Sequence, residues 1–154
     1  MPPKRIIGVL AALGLALAGC GSSGGAATPH FAARANAICA RTDAQIEALR
    51  RPGASLRAIA ATTAAEVPIV RAEVTQLAAL TAPHAERTQF AQTLATGREE
   101  ISLIGKLIAA IHAGDRARIA ALAEQGDAIE LRATATATAL GLSDCTQQAQ
   151  PGGG

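Results

Sequence analysis

Three cysteines, three histidines and a scatter of carboxylates are the residues of this 154-residue chain whose types could do chemistry. Cys39 and Cys145 have no C-x-x-C partner and no adjacent histidine, the usual settings of a reactive or metal-binding thiolate. His84 and His112 are 28 residues apart. On one continuous helix that is about 42 Å, so they cannot share a metal. His30 and His84 fall at the same end of the helical arrangement derived below, with Asp144 nearby, and are weak candidates for a surface Zn or Cu site. Glu99 and Glu100 are adjacent and point about 100° apart on a helix, so they form no catalytic pair. Asp127 and Glu130 share a face with Arg132 nearby and read as a solvated charged surface. No inward-pointing E-x-x-H pair suits a di-iron centre. No G-x-S-x-G, Ser–His pairing or Gly-rich phosphate loop is present. The chain therefore reads as a non-enzyme with no cofactor and no catalytic residue.

Cys20 has a different setting. Lys4 and Arg5 form a positive head, followed by an apolar run over residues 6–19. A helix of that length falls short of a hydrocarbon core of about 30 Å. A charged start, a short apolar core and small residues at the end describe an export signal. Leu17-Ala18-Gly19-Cys20 resembles a bacterial lipobox. That resemblance implies cleavage before Cys20, diacylglycerol on its sulfur, and an acyl chain such as palmitate on the new amino terminus. Two or three chains anchor durably, since each buried methylene contributes about 0.8 kcal/mol and a single chain holds only marginally. The alternative is an ordinary export signal with Cys20 incidental.

The whole chain carries 14 basic and 12 acidic side chains. Removal of residues 1–19 takes Lys4 and Arg5 and leaves 12 of each. With no net charge and no run of like charges, a nucleic-acid role has no electrostatic basis. Trp and Tyr are absent and Phe occurs only as Phe31 and Phe90, so platforms for stacking bases or sugars are missing.

Residues 20–29 lack an apolar period, are rich in Gly and Ser, and read as a flexible tether. Residues 147–154 read as a disordered tail. Between them, four segments show apolar residues at helical spacing. Over residues 30–51 the stripe is Phe31, Ala35, Ile38, Thr42, Gln45 and Leu49, widened by Ile46, and Pro52-Gly53 stops it. From about Ser55 to Ala82 it is Leu56, Ala60, Thr63, Val67, Val70, Val74, Leu77 and Thr81. Pro68 interrupts this stripe at a cost of about 3 kcal/mol in a regular helix interior. The phase survives on both sides, which favours a kink or short break near Glu66 over two helices. Pro83 marks the next turn. Residues 84–113 carry Phe90, Leu94, Gly97, Ile101, Ile104, Ile108 and Ile111, with Leu103 and Leu107 widening the face. Gly114 suits a left-handed helix end and Asp115 a cap for the next helix. Residues 116–140 carry Ile119, Leu122, Gly126, Ile129, Ala133, Ala137 and Leu140. Gly141 then suits a helix end, with Leu142 placed for the accompanying apolar contact. Gly97 and Gly126 lie on buried stripes, where backbones could approach closely.

Strand signals are missing. The expected fold is all-α: an antiparallel up-down-up-down four-helix bundle over residues 30–146, with helix two kinked near Pro68. An even helix count returns the end of helix four to the start of helix one. Cys39 is then about 13 Å down the axis from that end, within reach of the chain from Gly141 to Cys145. With Cys20 consumed by lipid, Cys39 and Cys145 form an even pair, expected to be a disulfide in an oxidising compartment.

"FAARANAICAR", "VPIVRAEVTQLAAL", "AGD" and "ALGLSDC" resemble a group of uncharacterised small exported or lipid-anchored helical proteins of high-GC Gram-positive bacteria. These share A-x-x-I-C, P-I-V-R, a G-D turn and a closing L-G-L-x-x-C, matched here at residues 35–39, 68–71, 114–115 and 140–145. The resemblance spans nearly all of residues 31–145. It implies the helical fold and the anchor and transfers no site.

The expectation is thus a lipid-anchored domain on the outer face of the cytoplasmic membrane, binding or scaffolding an envelope protein. The alternative is a carrier of an apolar ligand or metal ion in the bundle interior or at the His30/His84 end.

Overall fold

The computed structural model describes residues 29–49 and 55–149. The export signal, Cys20, the tether up to residue 28, the Pro52-Gly53 breaker and residues 150–154 lie outside the described residues. Among the described residues there are helices and no strands. Four helices, α1 (Pro29–Leu49), α2 (Leu56–Ala78), α3 (Arg87–Ala113) and α4 (Arg116–Ala139), are accompanied by two 3-10 segments, His84–Glu86 before α3 and Ser143–Ala149 after α4. The second of these carries regular structure three residues into the stretch expected to be tail. No described helix is long and apolar enough to cross a membrane.

Local chemistry sets most boundaries. Pro29 opens α1, where its missing N–H would have no helical partner anyway. The Ser55 hydroxyl accepts from the Ala58 N–H at 3.1 Å and caps α2. The helix then runs unbroken through Pro68. It stops at Ala78, four residues before the expected end. Pro83 disfavours helical backbone at Ala82, and the last carbonyls are satisfied by tighter bonds, Ala79 N–H to Gln76 and Leu80 N–H to Leu77. The first turn expected of α3 is instead the 3-10 segment, closed by the Glu86 N–H on the Pro83 carbonyl at 3.0 Å.

Gly114 adopts φ 66° and Gly141 φ 67°, the left-handed conformation that costs glycine nothing. At each, the glycine and its follower donate back into the helix: Gly114 to Ile111 and Asp115 to Ala110, then Gly141 to Thr138 and Leu142 to Ala137. The Asp115 carboxylate accepts from the Arg118 N–H at 2.9 Å and starts α4. Buried Thr96 keeps its hydroxyl satisfied inside the helix by donating to the Gln92 carbonyl at 3.0 Å.

The apolar stripes converge on two clusters. The larger joins Phe31, Ala35, Ile38 and Cys39 of α1 to Leu77, Ala82, Phe90, Ala137, Leu140 and Leu142. Phe31 meets Phe90 edge to face, with centroids 4.9 Å apart. The smaller holds Leu103, Ala110, Leu122 and Ile129, all from α3 and α4. Leu103 thus widens the α3 face toward α4 and offers no free surface. Not every apolar residue is covered: Leu56 of the α2 stripe and Ile59 beside it remain about half exposed, and Leu131, off the α4 stripe, is 73% exposed.

The helices pack as successive neighbours: α1 on α2, α2 on α3, α3 on α4. No Cα of α1 comes within 8 Å of a Cα of α4. That side is closed by the C-terminal 3-10 segment, which lies against both helices. A Cβ on Gly97 would stand 3.0 Å from Val74 Cγ2, so the expected close approach is present between α2 and α3. At Gly126 the nearest atom, Leu103 Cδ2, is 3.6 Å away, an ordinary contact.

Candidate functional site

The C-terminal 3-10 segment, held on α1, builds the candidate site. Asn36 fixes it from α1: its side-chain amide donates to the Gly141 carbonyl at 3.2 Å, and its Oδ1 accepts from the Asp144 N–H at 3.2 Å. The Cys145 N–H reaches the Leu142 carbonyl at 3.1 Å. Cys145 is thereby placed over α1, where its sulfur bonds that of Cys39 at 2.04 Å, with Cα atoms 5.0 Å apart. Cys39 is fully buried and Cys145 half-buried. The pairing expected from an even helix count is present.

Glu73 of α2 enters the same place. The Cys39 and Cys145 sulfurs and a Glu73 carboxylate oxygen all lie within 4.8 Å of one another. Glu73 is only 6% exposed. Beside this trio is a cavity of about 70 Å³ between α2, α3 and α4. Its lining includes Glu73, Thr93, Glu100, Ala133 and Cys145, with Gly97 and Val74 at the α2–α3 approach. At Gly97 the missing side chain lets Val74 come close, so α2 and α3 meet tightly along this edge of the cavity. Burial pushes the Glu100 carboxyl above the usual carboxylate range, although the residue as a whole is exposed. The negative charge of Glu130 pushes it the same way. Its neighbour Glu99 turns outward and takes the Arg132 guanidinium at 2.7 Å, both about half exposed. That pair is worth little in water.

The histidine candidates are placed elsewhere. His30 and His84 are both exposed. Among the described residues the only group of three or more potential metal ligands is Cys39, Glu73 and Cys145, so neither histidine joins one. Asp127 and Glu130 stay exposed, as a solvated face should.

The sequence pattern singles out neither Glu73, Asn36 nor Glu86, and it treats Glu100 only as half of a non-catalytic pair with Glu99. Glu73 follows Val70 by three residues and precedes Leu77 by four, which is itself a signal that an acid shares the apolar stripe. Glu86 is 5% exposed, and its Oε2 has no hydrogen-bond partner. It sits where α3 begins, beside the unpaired N–H groups of a helix start, which favours negative charge.

A second depression, about 370 Å³, opens on the outer side of α1 and α2. Ile38 and Leu80 line it together with Arg34, Arg41 and Gln76. The Arg41 guanidinium donates to Gln76 Oε1 at 3.2 Å, which ties the two helices across it.

Set against family models, curated proteins and solved structures, the chain matches none of them.

Proposed function

We propose that the chain is a lipid-anchored extracytoplasmic domain, tied through Cys20 to the outer face of the cytoplasmic membrane, that binds an envelope protein. Its likeness to small exported helical proteins of high-GC Gram-positive bacteria belongs to the same proposal. The Cys39–Cys145 bond supports the location, because such bonds persist in oxidising compartments. In this reading the helices run alternately up and down, and α2 bends near Pro68. The pairings of Arg41 with Gln76, Val74 with Gly97 and Glu99 with Arg132 support the alternation. The N–H that Pro68 lacks supports the bend.

The observation that carries the binding reading is the open groove between α1 and α2. Two guanidinium groups flank an apolar lining there, which suits a segment of a partner protein with apolar anchors and acidic side chains. The test is crosslinking in intact membranes followed by capture of the chain. A partner captured by the wild type should be lost from Arg34→Glu/Arg41→Glu and kept by Arg98→Glu, a reversal on exposed α3 surface outside the groove. Equal capture by all three overturns the groove. A globomycin-type inhibitor should leave the precursor uncleaved, and normal processing overturns the anchor.

The carrier reading draws on the interior cavity. About 70 Å³ accommodates a few waters or one small ion, far less than an acyl chain requires. Native mass spectrometry separates the readings: a stoichiometric ligand speaks for the carrier.

A further inference from the structure

We propose that, once its disulfide is reduced, the chain binds one Zn²⁺ through Cys39, Cys145 and Glu73. The inference is independent of the anchor and of the α1–α2 groove. It rests on three ligand atoms of suitable chemistry already gathered within 4.8 Å of one another. Two thiolates and a carboxylate are ligand types that zinc takes, at about 2.3 Å to sulfur and 2.0–2.2 Å to oxygen. A tetrahedron with those bond lengths spaces its ligands by about 3.5–3.8 Å. Glu73 is therefore within the range that small side-chain rotations cover. The sulfurs, 2.04 Å apart when bonded, must separate. Cys145 is the one that moves, because it sits on a half-buried 3-10 segment while Cys39 is inside α1.

The chemistry balances with an external dithiol as reductant. The dithiol gives two electrons and two protons and becomes a disulfide. The Cys39–Cys145 S–S bond breaks, and each sulfur takes one proton. Zn²⁺ then displaces both thiol protons to water and takes the Glu73 carboxylate as third ligand. Its charge offsets most of the negative charge brought together there. The fourth position faces the cavity of about 70 Å³, which Glu73 and Cys145 both line, and a water fits there. Cys39 and Glu73 are buried, which shields two of the three ligands from competing solvent. The same groups thus serve two states: a covalent clamp when oxidised and a metal clamp when reduced.

The test uses the full chain, purified, with Zn²⁺ alone as the probe. Titration is run on the oxidised protein, on protein reduced with a phosphine, and on reduced Glu73→Gln. The reduced wild type should bind one Zn²⁺ at least about 100-fold more tightly than the oxidised form, since the two thiolate ligands exist only after reduction. Glu73→Gln keeps both thiols and should lose about tenfold or more. Zn²⁺ should also raise the melting temperature of the reduced wild type. Co²⁺ substitution reads out thiolate ligation directly by its charge-transfer band. Reduced wild type binding no better than oxidised overturns the site. So does undiminished binding by Glu73→Gln, which would mean that the two cysteines bind the metal without the carboxylate. Far-ultraviolet circular dichroism of the reduced variant distinguishes loss of the ligand from loss of the fold.

Discussion

At the disulfide end, Phe31, Cys39, Leu77, Phe90 and Ala137 bring all four helices into one cluster. At the α3–α4 turn, Leu103, Ala110, Leu122 and Ile129 bring only two. The first set joins residues about a hundred positions apart, so its closure carries a large entropy cost, which a cross-link offsets. The second set lies within a single helical hairpin. Its turn is specified locally, by Gly114 in the left-handed conformation and Asp115 on the Arg118 N–H. Distant contacts in this small alanine-rich core need a staple, whereas near ones need only turn chemistry.

The largest test of that contrast is the staple. Cys39→Ser should cost up to about 4.7 kcal/mol on the chain-entropy estimate for a loop of 106 residues. The readout is a thermal melt under oxidising conditions. Reductant should bring the wild type to the same melting temperature, and an unchanged melt for the variant would mean that the loop contributes no stability. Next is packing at the same end. Phe90→Ala removes the ring that meets Phe31 and should cost about 3–5 kcal/mol by urea unfolding. By native-state hydrogen exchange, amides of α3 and α4 around Leu122 should open at a lower free energy than those around Phe90. Equal protection would erase the distinction between the two ends.

Smaller effects sharpen it. Gly105 has nothing within 4 Å of an added Cβ, and Gly126 has only an ordinary contact. Gly105→Ala and Gly126→Ala should therefore each stabilise by about 0.5–1 kcal/mol, the glycine penalty in a helix. Gly97→Ala should fall below both, because its Cβ would press on Val74 Cγ2 at 3.0 Å. The smallest change is at Glu100. Its carboxyl has a raised proton affinity in the fold, so the folded state holds the proton more tightly than the unfolded state. Its contribution is full below the ordinary carboxylate range and is lost as pH rises through the raised value. Glu100→Gln should flatten that decline and stabilise at pH 7 by no more than about 0.5 kcal/mol. A melting profile with unchanged pH dependence would contradict it.

Much of this could be read from residue types. Gly114, Asp115, Gly141 and Ser55 announce their helix ends because each supplies a backbone or hydrogen-bond property that few residues share. The apolar stripes identify buried faces, and an even helix count in an up-down arrangement predicts the Cys39–Cys145 pair, which is bonded. Periodicity says which face is covered but not by what. Hence the role of the 3-10 segment between α1 and α4 was not legible, nor the clamp by Asn36, whose partners lie 105 and 108 residues away. Glu73 escaped for another reason. A carboxylate is ordinarily counted as surface, and only the tertiary fold brings it against the sulfurs. The early end of α2 reflects Pro83 acting backward on its neighbours, an effect that an apolar stripe continuing to Thr81 conceals.

The position of Cys145, after all four described α-helices, has a kinetic corollary. A polypeptide made from its amino terminus must complete all four helices before the second sulfur exists to react. Cys39 meanwhile waits as a free thiol, open to mispairing with other molecules. Docking of α1 on α2 sets Leu77 beside Cys39 and covers part of it before its partner is made.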